Sequence, residues 1–173
     1  FDNISVDLMI GLPEQSTEQT KETLQKLMTL SPEHISCYML ILEEKTALFA
    51  KKDLLSIPDE EAVSKEYEMV TDLLEKSGYE HYEISNFCKA DKESRHNLKY
   101  WNDEEYIGIG PSAYSFFGGK RFHYENNMQA FIKSPKCVND GLGGDFCEYI
   151  MLALRLKKGI NEKKKKNLYS KKF

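Results

Sequence analysis

The chain has 173 residues, 40% of them hydrophobic and 30% charged, with a formal net charge of −4, the composition of a globular protein with a moderate core rather than a disordered or fibrous one. No uninterrupted run of about 18 apolar residues occurs, and no charged-then-apolar leader opens the chain, so neither a membrane span nor a signal peptide is expected, and a cytoplasmic location is. From Arg155 onward nine basic residues face one acid, a local +8 that leaves −12 on the preceding part. An acidic body of that kind excludes nucleic-acid backbone binding as the first expectation.

The segment 4–10, ISVDLMI, is β-branched and apolar and stops at Gly11, which predicts a central strand carrying one acid, Asp7, inside a buried pattern. Ser16 and Gln19 fit a capping box. Thr20, Leu24, Leu27 and Met28 then recur at helical spacing until Pro32. Residues 34–42 predict a second apolar strand. A second helix is expected from Pro58 to Gly78, burying Ala62, Val63, Val70, Leu73 and Leu74, with proline near its start and glycine past its end. Residues 79–84 alternate as a third strand.

The order strand, helix, strand, helix, strand, with nearly continuous apolar runs in the first two strands, predicts an α/β fold with parallel strands covered on both faces. Three strands cannot close a barrel of about eight, so the pattern is expected to be the second half of a larger α/β barrel or open sheet. Ligands of such folds sit at the carboxyl ends of the strands, which places residues 11–15, 42–46 and 84–87 on one rim.

Beyond Asn86, residues 95–101 and 106–119 are rich in Gly and aromatic side chains without a helical period, and are expected as loops. Residues 145–156 recover a helical stripe, and a lysine-rich end follows. The expected division is therefore 1–134, holding the strands and the aromatic loop region, and 135–173, the start of a small helical C-terminal domain.

Few residue patterns carry chemistry outright. Asp7 is either an acid bonded to backbone or water, or a carboxylate held for a ligand's hydroxyls or amine. His96, Tyr100 and Trp101 either anchor a loop by their rings or grip a flat aromatic ligand and its metal. His34 and His81 stand at strand beginnings, the wrong end for catalysis, and are expected to be packing residues. The cysteines at 37, 88, 137 and 147 lack metal-type spacing and are expected as reduced thiols. No Ser/His/Asp order, phosphate-loop lysine or paired histidines support a hydrolase, nucleotidase or zinc protease.

Five segments in order, DLMIGLPEQ (7–15), PEHIS (32–36), GYEHYEISNF (78–87), RHNLKYW (95–101) and GIGPSA (108–113), closely resemble the oxygen-independent coproporphyrinogen III oxidase-like family of radical S-adenosylmethionine proteins. The HNxxYW form of residues 96–101 resembles its heme-chaperone branch. The resemblance implies a partial (β/α)6 barrel followed by a helical domain. It implies S-adenosylmethionine contacts at Asp7, Ile41 and Tyr114, heme contacts at His96, Asn97, Tyr100 and Trp101, and His96 as a candidate heme-iron ligand. Tyr114 stands where relatives of that branch commonly have histidine.

The family's CxxxCxxC motif for a 4Fe-4S cluster is absent from this sequence, so the resemblance implies that this chain alone neither ligates the cluster nor is active. The implied function is heme binding and transfer to an acceptor protein. Two alternatives stand beside it: oxidative decarboxylation of coproporphyrinogen III, and a barrel scaffold with no ligand of its own.

Overall fold

The computed structural model describes residues 1–161, which form two compact units, Phe1–Glu93 and the residues from Ser94 onward. The lysine-rich end from residue 162 lies outside the described residues. In the first unit, β1 (Ser5–Ile10), β2 (His34–Met39), β3 (Glu80–Glu83) and β4 (Asn86–Cys88) form one sheet in the order β1-β2-β4-β3.

This corrects the all-parallel expectation. β1 and β2 are parallel, but β4 is antiparallel to both of its neighbours. β3 therefore runs in the same direction as β1 and β2 while sitting one strand away from β2. The reason is the short turn at Ile84 and Ser85: two residues can only reverse the chain into a hairpin, whereas a parallel neighbour needs a crossover of a dozen residues or more. Because β1, β2 and β3 share a direction, their carboxyl ends still point to one side.

Both helices start where capping chemistry places them. α1 (Thr17–Thr29) has the capping box between Ser16 and Gln19, and α2 (Glu60–Lys76) opens on Asp59, whose side chain accepts from the Ala62 amide. Each cap satisfies an amide that has no partner within the helix. Leu24 and Leu27 of α1 and Val70 and Leu74 of α2 pack with Leu8, Ile10, Ile35, Cys37 and Phe87 into one core. Ala62, expected inside, is exposed in the first turn of α2.

The register assigns the two faces of the sheet. Leu8 pairs with Cys37 and Ile35 with Phe87 on the helix-covered face. Asp7 pairs with Ser36, and Ser36 with Asn86, on the opposite face. β1 is consequently an edge strand with one exposed face, carrying Ser5, Asp7 and Met9, and not the central, doubly buried strand expected. Period-2 alternation with a polar residue at every second position was present in SVDLMI except at Met9, whose apolar side chain made the run look continuous.

In the second unit, residues 95–101 form a helix, α3 (Arg95–Trp101), rather than a loop. Ser94 caps it, accepting from the Asn97 amide. The glycine-rich stretch leads into β5 (Tyr114–Phe117), which pairs with β6 (Lys120–Tyr124), and β6 with β7 (Cys137–Leu142), in an antiparallel three-stranded sheet. α4 (Met128–Lys133) lies between β6 and β7 in sequence, and α5 (Phe146–Ala153) follows. Residues 137–142, expected within a helical domain, are thus a strand; the helical stripe expected from 145 is α5.

One glycine here is required by space. A Cβ at Gly108 would sit 2.3 Å from the Tyr114 carbonyl oxygen, closer than any side chain tolerates, so only glycine lets this loop close onto β5.

Candidate functional site

The rim of the first unit is held by α2. Glu66 is buried, and its carboxylate accepts from the Gly11 amide at 2.9 Å and from the Thr20 hydroxyl. It ties the loop after β1 to both helices. Gly11 has φ +70°, in the left-handed region, where L-residues are strained. Nearby on α2, the Tyr67 hydroxyl donates to the Ile84 carbonyl at 2.6 Å and pins the β3–β4 turn.

Asp7 lies in the middle of β1, exposed, on the face away from the helices. Along its row, Ser36 and Asn86 are buried, and Glu83 accepts from the Ser85 amide at 3.0 Å and from the Asn86 side-chain amide. The Asn86 Oδ1 is buried and has no hydrogen-bond partner among the described residues, an expensive arrangement unless a ligand donor or water completes it. This polar row, with an open carboxylate at one end, suits a ligand carrying amine or hydroxyl groups.

Ile41 lies beyond the end of β2, five residues past Ser36, and is 74% exposed. Asp7 and Ile41 are therefore in the same unit but not side by side. Tyr114 belongs to the second unit, at the start of β5.

His34 bears out its structural assignment. It is buried, with Nδ1 2.8 Å from the Ser5 hydroxyl and Nε2 2.9 Å from the Tyr82 hydroxyl. Burial lowers its pKa, while the Asp7 charge pulls the other way. His81 stacks on Phe87 with ring centroids 4.3 Å apart, also a packing role.

α3 converts the HNxxYW spacing into a surface. His96 and Tyr100 are four residues apart, one above the other on one face, with the Tyr100 hydroxyl 2.9 Å from His96 Nε2 and the rings edge to face. Tyr100 in turn meets Tyr106 edge to face at 4.6 Å. Trp101 points elsewhere: the Arg155 guanidinium lies over its ring at 4.2 Å. The buried Trp101 indole N–H finds no acceptor among the described residues. Asn97 contributes its backbone amide to the cap.

Two cavities flank α3, one of about 330 Å³ lined by Trp101, Tyr149, Leu156 and Asn161, and one of about 360 Å³ lined by Tyr100, Trp101, Tyr106 and Arg121. Arg121 in the second is paired with Glu148 at 2.6 Å and Asp103 at 3.6 Å, and covers the Phe116 ring. Sequence reasoning missed Arg121, Glu148 and Glu66. Only Glu66 left a trace, an acid at i−4 and i−8 from the buried Val70 and Leu74.

Among the described residues no group of three His, Cys, Asp or Glu side chains could hold a metal ion. Cys37 and Cys88 are buried, and burial pushes their thiols up to about 12 and about 11, so neither offers a thiolate at neutral pH. The donor set for an iron-sulfur cluster is thus not found in the described residues, and no step is derived through one. The polar row at Asp7 and Asn86, by contrast, fits the amine and hydroxyl groups of S-adenosylmethionine.

The fold is shared with coproporphyrinogen III oxidase (HemN) from Escherichia coli, a radical SAM enzyme, at a TM-score of 0.75 and 18% identity over 96% of this chain and 43% of that one. In sequence the chain is 35% identical to the heme chaperone HemW of Lactococcus lactis over 98% of its length and 47% of the relative's. It is 43% identical to HemW of Bacillus subtilis over 70% of the chain and 32% of the relative. A mitochondrial radical S-adenosyl methionine domain-containing protein 1 of Danio rerio is 40% identical over 66% of the chain. No family model matches. The chain belongs to the HemN-like, HemW family of radical S-adenosylmethionine proteins, and it spans about half or less of the length of these curated relatives.

Proposed function

We propose that the protein of which this chain forms part is a heme chaperone that binds heme and passes it to an acceptor protein in the cytoplasm. The observation that carries this is α3, where the motif shared with the heme-chaperone branch becomes a helix carrying an imidazole and a phenol edge to face, with a large indole next to the phenol. Flat aromatic and imidazole groups suit a porphyrin, whose broad ring face rewards stacking and burial. His96 and Tyr100 contact the porphyrin ring, with His96 the candidate ligand of its iron, Trp101 supplies apolar surface and an N–H donor, and Asn97 sits in the first turn that orients them.

In the first unit, Asp7 accepts from the amine or hydroxyls of S-adenosylmethionine, Asn86 supplies a second acceptor, and Ile41 offers apolar surface; Tyr114 of the second unit is a further candidate contact. When bound next to a reduced iron-sulfur cluster, that cofactor supplies one-electron chemistry. Within this chain, Glu66 and Tyr67 hold the rim loops in place.

Titrating the full-length protein with hemin tests the reading. Stoichiometric binding that weakens at least tenfold in a His96→Ala/Trp101→Ala variant is expected. Unchanged binding in that variant would remove α3 from the mechanism, and conversion of coproporphyrinogen III at enzymatic rates by anaerobically reconstituted protein would favour the oxidase instead. Asp7→Asn should weaken S-adenosylmethionine binding with the fold intact.

A further inference from the structure

His123 is an imidazole outside α3 whose surroundings are built with unusual care. The β5–β6 register sets it directly opposite Tyr114, and paired residues of an antiparallel ladder share a face. The two rings stack, with centroids 4.8 Å apart and planes at 27°. Its other neighbour comes from β7. The β6–β7 register slips by one residue between Arg121 and Phe122, pairing Arg121 with Gly141 and Phe122 with Asn139. Asp140 is the extra residue of that bulge, and bulges commonly re-aim a side chain. Both of its carboxylate oxygens reach His123 Nδ1, at 2.9 and 2.8 Å.

This contact decides the tautomer. A carboxylate only accepts, so Nδ1 carries the proton, and in the neutral ring the remaining lone pair is on Nε2. No described residue hydrogen-bonds that nitrogen. A histidine whose Nδ1–H is held by a carboxylate and whose Nε2 is free is the arrangement that metal-ligating histidines show, because the outer acid fixes the ring and raises its basicity. His96 differs, since its Nε2 already meets the Tyr100 hydroxyl.

One imidazole would be too little for a bare cation, and no three-ligand group exists among the described residues. Heme iron is the exception: the porphyrin fills four positions, and the protein need add only an axial ligand. The geometry points to His123 as an axial ligand of heme iron through Nε2, with Asp140 and Tyr114 as positioning residues. This rests on the heme-binding reading above and adds to the α3 contacts. Binding forms one Fe–N bond from the Nε2 lone pair and releases an axial water from the iron, with no electron transferred.

Hemin titration of the full-length protein, followed by the Soret band and by electron paramagnetic resonance, tests it. His123→Ala should weaken binding at least tenfold and change the spin state of the iron. Asp140→Asn should keep stoichiometric binding but move the heme midpoint potential upward, because a less basic imidazole stabilises ferric iron less. His123→Gly with added imidazole should recover the wild-type spectrum, which separates a lost ligand from a lost fold. An unchanged affinity and spectrum in His123→Ala, or a loss in His123→Gly that imidazole does not restore, overturns the assignment of His123 while leaving heme binding by the wild type intact. Absence of stoichiometric hemin binding by the wild type overturns both.

Discussion

The two units are held together by different means. The first buries ten residues in one apolar core between its sheet and its two helices. Among the described residues of the second, the buried apolar cluster is Tyr149 and Ala153 with Phe146 packed against them, Phe116 and Leu156 being buried outside it, and further order comes from contacts of other kinds: Arg121 with Glu148 and Asp103, His123 with Asp140, and the ring pairs of Tyr100, Tyr106 and Tyr114. Burial is non-directional and tolerant, whereas ion pairs and ring stacks hold only in one geometry. The contrast teaches that the unit carrying the proposed heme contacts is the one whose side chains are oriented by specific partners, which is what a ligand site needs and what a core does not supply.

The sharpest way to break this comparison is to cut the core of the first unit. Phe87 is fully buried, and Phe87→Ala should cost about 3–5 kcal/mol, read from urea unfolding, with hydrogen-exchange protection lost across residues 5–88. A smaller loss would mean that burial does not dominate there. Next comes a buried polar tie between that core's helices and the loop after β1. Glu66→Ala leaves the Gly11 amide and the Thr20 hydroxyl without their acceptor, and should cost about 2 kcal/mol, with exchange at Gly11 rising more than at Ile35.

In the second unit, Arg121→Met keeps the length of the side chain and removes its charge. Because Arg121 is only a quarter exposed, Glu148 about a fifth and Asp103 7%, the substitution leaves two largely buried carboxylates without their Arg121 partner, and a loss of about 2 kcal/mol is expected. It should shrink at high salt, unlike the Phe87→Ala loss. Equal salt dependence in both variants would erase the distinction between the units.

The smallest effect expected is on pH. Burial lowers the His34 pKa in the folded state, so the unfolded chain takes up a proton that the folded unit resists. Stability is then fully present above the ordinary imidazole range and falls as pH drops through it. His34→Asn should flatten that slope in unfolding measurements. Asp7→Asn, by removing the charge that opposes the shift, should lower the His34 pKa further in an NMR titration; no change would mean the two side chains do not sense one another.

Local signals determined much of this protein by themselves. The Ser16 capping box and the Leu24, Leu27, Val70 and Leu74 stripes were legible because each depends on residues three or four apart in one helix. The five motifs, in order, also identified the family without any coordinates. The sheet order was not legible, since the insertion of β4 between β2 and β3 pairs residues of β2 and β4 some fifty positions apart. α3 was missed because seven residues are too few to display a period, and only the Ser94 cap and the His96–Tyr100 contact make it a helix. The partners of His123 lie beyond any sequence rule as well. Tyr114 comes from one strand and Asp140 from a bulge in another, and a carboxylate meets an imidazole there only because the tertiary fold brings three strands side by side.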